Sequence, residues 1–328
     1  MTNTRTALTT AACLVGLAVG TGTAAAEQIR IAGNFPANHS SSLAIDRFEK
    51  QVEEATNGDL QVDVFPAMQL GGAGENVDQV RSGAIFATWI GTAYLSRIVP
   101  ELEAVSLPFL FDGREQAFEV IDGEVGDRLA AELGEKGFET LGWMELGARH
   151  VTNSQRPLET MADFEGLKIR LQPNETHIAT FNAVGANPVS MDIKEVYSAL
   201  QQHVLDGQEN PYTIIRTRNF EEVQSHLSDT SHFFDFIVVA ANQNRFEALP
   251  PEHRKVVREA MADAVAFQRE RAATQSEKAL AALKEKMTFT PLPDDTRAAL
   301  RGATSGVVDR VRERTGDGIV DLVLSKVE

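Results

Sequence analysis

The sequence predicts an α/β protein built as two lobes, with a long C-terminal helix that braces both. Strand-like and helix-like patterns alternate along the chain, which is typical of right-handed βαβ units and α/β sheets. The chain turns polar over residues 148–154 and then starts a new strand–helix series. Near the end, a helical pattern over residues 251–286 would span roughly 54 Å, a length that suits a strut touching both lobes.

The individual elements follow from the spacing of apolar residues. Alternating or short apolar runs predict strands at residues 28–32, 60–65, 85–90, 167–171, 204–206 and 234–240. Helical spacing predicts helices at residues 44–55, 75–81, 114–133 with a break near Gly123, 193–203 and 251–286. We expect lobe 1 to comprise residues 27–147, completed by about 236–276, and lobe 2 to comprise residues 148–235, completed by about 277–328.

The first 26 residues have the pattern of a secretory signal peptide. Arg5 gives a positive start, residues 7–19 form a largely apolar run, and Ala24-Ala25-Ala26 supplies an A-x-A cleavage site. An ordinary buried helix is the alternative. Cys13 is the only cysteine of the chain, so cleavage after Ala26 would leave no thiol for disulfides, metal binding or nucleophilic catalysis. No later run approaches about 18 apolar residues, and the mature chain is expected to be soluble.

The net charge of the chain excludes some classes of partner. The formal net charge is −16, and loss of the leader with its single arginine leaves −17. A charge of this sign repels nucleic acids and anionic membrane surfaces. It also repels an anionic ligand at long range, so a site for an anion would need a local positive cluster. The candidates for this cluster are Arg149, His150, Lys168 and Arg170.

Arg170 lies in the predicted strand at residues 167–171. Because side chains alternate along a strand, Arg170 and Lys168 share one face, and the apolar neighbours share the other. A guanidinium group can hold a carboxylate through two parallel hydrogen bonds. A solvated charge or an ordinary salt bridge is the alternative for such an arginine.

Asn210 follows Gly207 and precedes Pro211, which predicts the end of a strand. Ligand groups gather at such positions in α/β folds. Its amide can donate to a carboxylate oxygen and still accept from a ligand hydroxyl. Simple turn chemistry is the alternative, since Asn-Pro is a common loop pair.

Several other motifs occur in order along the chain. They are Ala32-Gly33-Asn34-Phe35-Pro36, Thr56-Asn57-Gly58, Pro66 with Gln69-Leu70-Gly71, Pro100-Glu101, Leu107-Pro108-Phe109-Leu110-Phe111, Gly147-Ala148-Arg149 with Thr152-Asn153-Ser154, Gly166-Leu167-Lys168-Ile169-Arg170, Glu195-Val196-Tyr197-Ser198-Ala199-Leu200-Gln201 and Asp206-Gly207-Gln208-Glu209-Asn210-Pro211. No single motif is diagnostic. The ordered set, which extends from about residue 28 to about residue 260, resembles the solute-binding proteins of TRAP (tripartite ATP-independent periplasmic) transporters.

The resemblance implies a two-lobe periplasmic binding protein fold with the ligand in an interdomain cleft. It implies that Arg170 makes the main salt bridge to a ligand carboxylate, assisted by Asn210 and Arg149, and that Asn34 faces the ligand from the first lobe. The alternative role for a crossover arginine such as Arg149 is to pin the hinge. The implied ligand is a small organic acid: a sugar acid, a hydroxy acid or a C4 dicarboxylate. A monomer in the periplasm would bind it without a cofactor and deliver it to TRAP membrane permease subunits.

Three first-lobe positions bear on the choice of ligand. Some relatives that bind sialic acid carry a pocket glutamate where this chain has Gly91, which argues against sialic acid. Trp89 offers either a flat wall for a sugar or a short aliphatic chain, or an ordinary core side chain. His39 is a further candidate for the site, with helix capping or a surface position as the alternatives.

Other activities lack their signals. Gly71-Gly72-Ala73-Gly74 does not have the spacing of a phosphate-binding loop, and the chain contains neither H-E-x-x-H nor G-x-S-x-G. A binding protein of an ATP-driven importer remains one alternative, although it would not be expected to carry the ordered motifs. A secreted enzyme that acts on organic acids is the other, and it would need a nucleophile–base pair or a metal site.

Overall fold

The computed structural model describes residues 27–327. The predicted signal peptide, with Cys13 and the cleavage site after Ala26, lies outside the described residues. Within residues 27–327, none of the helices is both long enough and apolar enough to cross a membrane.

The strands and helices alternate as predicted, but the strands at residues 138–153, 187–190 and 288–291 are additional to the prediction. The strands are β1 (Glu27–Gly33), β2 (Leu60–Phe65), β3 (Ala87–Gly91), β4 (Phe138–Asn153), β5 (Lys168–Leu171), β6 (Asn187–Ser190), β7 (Gly207–Asn210), β8 (His226–Asn242) and β9 (Thr288–Pro291). The helices are α1 (Ser40–Ala55), α2 (Ala73–Arg81), α3 (Arg114–Ile121), α4 (Glu124–Glu135), α5 (Glu175–Ala183), α6 (Ile193–Gln201), α7 (Tyr212–Thr217), α8 (Gln243–Ala248), α9 (Pro251–Lys284), α10 (Asp294–Thr304), α11 (Val307–Thr315) and α12 (Asp317–Leu324).

One hydrogen-bonded path links the strands, in the order β2-β1-β3-β8-β4-β7-β5-β6, with β9 beside β8. The outer strands are parallel to their neighbours in both halves of this path. The long strands β4 and β8, of 16 and 17 residues, are antiparallel to each other and run from one half into the other. Register shifts between Glu145 and Gly147 and between Arg149 and Val151 mark the crossing, where bulges bend a strand.

The polar segment at residues 148–154 does not separate two sheets, contrary to the sequence-based argument. Residues 138–153 form a single strand. The polar side chains Arg149, Thr152 and Asn153 are fully buried there because neighbouring strands and turns supply their hydrogen-bond partners. Polarity in this segment therefore reflects a buried network rather than a surface linker.

The strand predicted at residues 204–206 is also wrong. That segment is a turn, Val204 is 55% exposed, and the strand begins at Gly207. A side chain at Gly207 would place its Cβ 2.2 Å from the carbonyl oxygen of Thr152. The glycine therefore permits the close approach of β7 to β4, and Asn210 becomes the last residue of this strand.

The long helix α9 has 34 residues, which corresponds to about 51 Å. It packs on α1 and β4, and on α7 of the other half. Near its centre, the buried amide of Gln268 accepts from the backbone N–H of Glu145 and donates to its carbonyl, both at 2.8 Å. The helix is thereby fixed to the crossing strand where the two halves meet, as expected of a brace.

Apolar clusters cover both faces of the sheet. One lies between the sheet and α1, α6 and α9, a second lies under α2, α3, α4 and α12, and a third lies in the second half around α5. The C-terminal helices contact both halves, since α10 packs on α5 while α12 packs on α4. The proposed limits of the two lobes remain a prediction.

Candidate functional site

A cavity lies between the two halves, where the carboxyl ends of several strands meet. The first half contributes residues at the ends of β1 and β3, and the second half contributes residues of β5 and β7. This position is the one at which α/β folds bind ligands. The lining residues are Asn34, Phe35, Gly91, Tyr94, Leu146, Arg170, Gln172, Ile193, Asn210, Ile214 and Arg218.

The cavity is small. Its volume is about 20 Å³, which is room for about one water molecule. Two hydrogen bonds join the halves across it, one from Arg170 Nη2 to the hydroxyl of Tyr94 at 3.2 Å and one from Arg218 Nη2 to the carbonyl oxygen of Asn34. Entry of an organic acid therefore requires the two halves to separate.

Arg170 is a fully buried cation in this cavity. Its Nε donates to the carbonyl of Met191 at 2.8 Å, and its Nη1 has no hydrogen-bond partner among the described residues. Within residues 27–327, no carboxylate oxygen lies within 4.0 Å of this guanidinium. A buried guanidinium stays charged, and its loss of hydration is offset only when an anion takes the place of water.

Arg149 is equally buried, but it has protein counter-ions. Its Nε and Nη2 donate to the carboxylate of Glu209 at 2.5 and 2.8 Å, and its Nη1 donates to Asp235 at 3.1 Å. Burial by itself would raise the pKa of Glu209, yet the charge of Arg149 and the hydrogen bonds from His232 and Arg149 together outweigh it and hold that pKa well below its usual range. Arg149 does not line the cavity, and these contacts fit the alternative role of pinning the crossing strands.

Arg149 also determines how Asn210 faces the cavity. The Oδ1 atom of Asn210 accepts from Arg149 Nη2 at 3.2 Å, and its Nδ2 donates to Gln208 Oε1 at 2.5 Å. An amide nitrogen carries two hydrogens. Because its oxygen is already engaged, Asn210 can offer a ligand its second N–H.

The first-half candidates occupy different environments. Asn34 is 5% exposed and lines the cavity, and its Oδ1 has no partner among the described residues. His39 lies behind the lining, where it caps α1 by accepting from the N–H of Ser41 at 3.2 Å and stacks on Phe35. Trp89 is fully buried in the core, and a Cβ on Gly33 would lie 2.4 Å from its ring.

Comparisons with known proteins agree with this geometry. Residues 31–315 match the model of the family described as bacterial extracellular solute-binding protein, family 7. The chain belongs to this family. The 2,3-diketo-L-gulonate-binding periplasmic protein YiaO of Escherichia coli is 34% identical over 85% of both chains.

Two solved structures of TRAP-type binding proteins are similar to this family-7 protein. The sugar acid binding protein DctPAm of Advenella mimigardefordensis, in complex with galactonate, has a TM-score of 0.90 and 30% identity, over 92% of this chain and 98% of that one. A TRAP periplasmic solute-binding protein of Sulfurospirillum deleyianum, with bound succinate, has a TM-score of 0.88 and 31% identity, over 92% and 100%. Both carry the two-lobe fold that the sequence predicts for this chain.

One charged residue that lines the cavity was not predicted from the sequence. Arg218 is the residue after α7, and it lies four positions beyond Ile214 on the same helical face. This spacing is the only local signal for it. The missed neutral partners are Tyr94, which receives a hydrogen bond from Arg170, and Gln172, whose Nε2 donates to Asp235 at 2.9 Å.

Proposed function

We propose that this protein is the extracytoplasmic solute receptor of a TRAP transporter, and that it binds a small organic acid through Arg170. The observation that carries the proposal is a fully buried guanidinium with a free Nη1 donor and no protein carboxylate, inside a cavity between two lobes. The planar donors of arginine fit a carboxylate through charge-assisted hydrogen bonds.

In the proposed complex, a ligand carboxylate accepts from Arg170 Nη1 and from the free N–H of Asn210. The Oδ1 atom of Asn34 is then available to accept from a hydroxyl group of the ligand. These contacts come from both halves of the protein, so a bound ligand holds the halves together. Arg149 takes part indirectly, because it holds the amide of Asn210 in the donating orientation.

Binding is coupled to closure of the cleft. The bonds from Arg170 to Tyr94 and from Arg218 to Asn34 join the lobes in the closed form. A ligand shifts the protein toward this form only to the extent that it binds it more tightly than the open form. The bends in β4 near Glu145 and Arg149 are the expected hinge, because both long strands cross between the lobes there.

The remaining parts of the proposal rest on family membership. We propose that the protein is exported to the periplasm after cleavage following Ala26, acts as a monomer, and hands its ligand to membrane permease subunits that recognise the closed lobes. It performs no chemical step on the ligand.

A thermal-shift screen tests the proposed function. The protein is expressed with its own leader, purified after export, and screened with uronates, aldonates, dicarboxylates, short hydroxy acids, amino acids and neutral sugars. A ligand at about 100 times its dissociation constant stabilises the folded state by about 2.7 kcal/mol, which moves the melting temperature by several degrees. We expect a shift with carboxylates only.

Two variants complete the test. Arg170→Ala should abolish the carboxylate shift, and Arg128→Ala should keep it, because Arg128 is exposed and its one ion pair within residues 27–327 is with Glu132 on its own helix. A shift with neutral sugars alone, or an unchanged carboxylate shift in Arg170→Ala, would overturn the proposed role of Arg170.

A further inference from the structure

Arg218 is a second cation in the same cavity. Its Nη2 donates to the carbonyl oxygen of Asn34, while its Nε is buried and has no partner among the described residues. Arg218 therefore resembles Arg170, since each guanidinium makes one bond to the opposite lobe and keeps one donor free.

The two arginines have no acidic partner at hydrogen-bond distance. None of the residues that line the cavity is acidic, and over residues 27–327 no carboxylate oxygen lies within 4.0 Å of either guanidinium. Asp192 acts on Arg218 only from beyond that distance, since its side chain caps α6 by accepting from Lys194. Two positive charges thus face one small cavity in a chain whose net charge is −16.

This arrangement is costly without a matching ligand. Burial lowers the pKa of Arg218, and the neighbouring charge of Arg170 lowers it further. A ligand with one negative charge compensates one of the two guanidinium groups, whereas a dianion compensates both. The charge balance of the cavity therefore favours a ligand with two anionic groups.

The two arginines are also anchored at different points of the lining. Arg170 is fixed against Met191 and Tyr94, and Arg218 is fixed against the end of β1 at Asn34. The apolar side chains Phe35, Leu146, Ile193 and Ile214 complete the lining. Two arginines with different anchors, in one cavity with apolar walls, can each hold one carboxylate of a short carbon chain.

Free partners for hydroxyl groups are few. The Nε2 of Gln172 donates to Asp235, and the Oδ1 of Asn210 accepts from Arg149. Among the cavity's side-chain oxygens within residues 27–327, Asn34 Oδ1 and Gln172 Oε1 accept no hydrogen bond. Two free acceptors could serve one or two hydroxyl groups, which suits a simple or sparsely hydroxylated acid better than a polyhydroxylated one.

We infer that Arg218 binds a second carboxylate, so that this site takes a short dicarboxylate held at one end by Arg170 and at the other by Arg218. The inference rests on the proposed function, because it assigns the other end of the same ligand. It makes Arg218 the residue that selects a dianion over a monoanion.

Ligand pairs that differ in one carboxylate test this selectivity. Titration calorimetry at neutral pH compares succinate with succinamate, which replaces one carboxylate by an amide of the same shape, and galactarate with galactonate. We expect wild-type protein to bind succinate at least about 10-fold more tightly than succinamate, and succinate more tightly than either sugar acid. In Arg218→Gln the succinate preference should fall to within about threefold, with succinamate affinity little changed.

Two further variants separate the possible failures. Arg218→Lys keeps the charge and should retain part of the preference, and Arg170→Gln should lose both succinate and succinamate. A wild-type protein that binds no carboxylate would overturn the proposed function together with this inference.

Three other outcomes would overturn the inference alone. The first is a wild type that binds succinamate as well as succinate. The second is an Arg218→Gln variant that weakens both members of the pair equally, because both arginines would then hold one carboxylate. The third is a wild type that prefers galactonate to both dianions.

Discussion

The Nη2 atom of Arg149 donates a hydrogen bond to Oδ1 of Asn210, with the two atoms 3.2 Å apart. The two side chains that the sequence proposed as joint assistants of Arg170 are thus partners of each other. Only Asn210 lines the cavity. Arg149 lies behind it, between Glu209 and Asp235, and its influence on a ligand passes through the orientation of the Asn210 amide.

Removal of the Arg149 charge should destabilise the protein strongly. Arg149→Gln leaves the buried carboxylates of Glu209 and Asp235 without their counter-ion, so we expect the free energy of unfolding to fall by about 3–5 kcal/mol. Urea unfolding measures the change. The double variant Arg149→Gln/Glu209→Gln should recover part of the loss, because it removes one of the uncompensated charges. Equal stability of the single and double variants would contradict an ion-pair role.

Arg170 should respond differently to the same kind of change. Arg170→Ala should weaken ligand binding by more than about 2 kcal/mol, within the range of about 2–5 kcal/mol for loss of one partner of a buried charge pair. Stability without ligand should change little or rise, because the variant removes a buried charge that has no protein counter-ion. Arg170→Lys should also bind poorly, since an ammonium group cannot keep the planar bonds to Met191 and Tyr94 that leave Nη1 free for the ligand. Full affinity of the lysine variant in calorimetry would show that charge alone suffices.

Gly91 leaves little room for a side chain at the wall of the cavity. A Cβ at this position would lie 3.3 Å from Gln172 Oε1 and 3.4 Å from a methyl group of Leu146, so any longer side chain must extend into the cavity. Gly91→Glu should abolish binding of carboxylates, both by filling the cavity and by supplying an internal anion to the arginines. Gly91→Gln is the matched control for size. Without ligand, the glutamate variant should melt at a temperature at least as high as the glutamine variant, because its carboxylate compensates the arginine charges. A lower melting temperature of the glutamate variant would contradict this charge compensation.

The buried side chain of His39 should lower the free energy of unfolding as the pH falls below about 6.5. Burial, together with the charge of Arg218, lowers the pKa of His39 from 6.5 to about 3. The unfolded chain therefore binds a proton at this site between about pH 6.5 and pH 3 that the folded protein does not, and stability is lost as the pH falls through this window. His39→Asn keeps a capping side chain without a titrating group.

The variant isolates the contribution of His39. Between about pH 5.5 and pH 4.5, stability of the wild type should fall by about 1.4 kcal/mol per pH unit more than that of His39→Asn. Urea unfolding of both proteins at both pH values gives the difference between their pH dependences. The other buried histidines contribute equally to both proteins, so their contributions cancel in this difference. Parallel pH profiles of the two proteins would show that His39 titrates normally in the fold.

Much of the architecture could be predicted because the positions of strands and helices depend on the local spacing of apolar residues and on glycines. The strand at residues 60–65 has the predicted bounds, and the helix predicted at 251–286 ends two residues early, at Lys284. The predicted break near Gly123 separates α3 from α4. The failures, at residues 148–154 and 204–206, are places where distant strands supply the partners. Polar side chains of β4 pair across the sheet, and β7 begins where its glycine fits against β4.

The sequence by itself determined the alternation of strands and helices, the carboxyl-end position of Asn34 and Asn210, and the family. Only the tertiary structure distinguished the role of Arg149 from that of Arg170, two fully buried arginines on strands that are consecutive along the chain, β4 and β5. Arg149 receives counter-ions from positions 60 and 86 residues away, while Arg170 receives none within residues 27–327. Arg218 joins the cavity for the same reason, through a contact with Asn34 that spans 184 residues. Charge compensation depends on which distant groups the sheet brings together, and no local spacing encodes it.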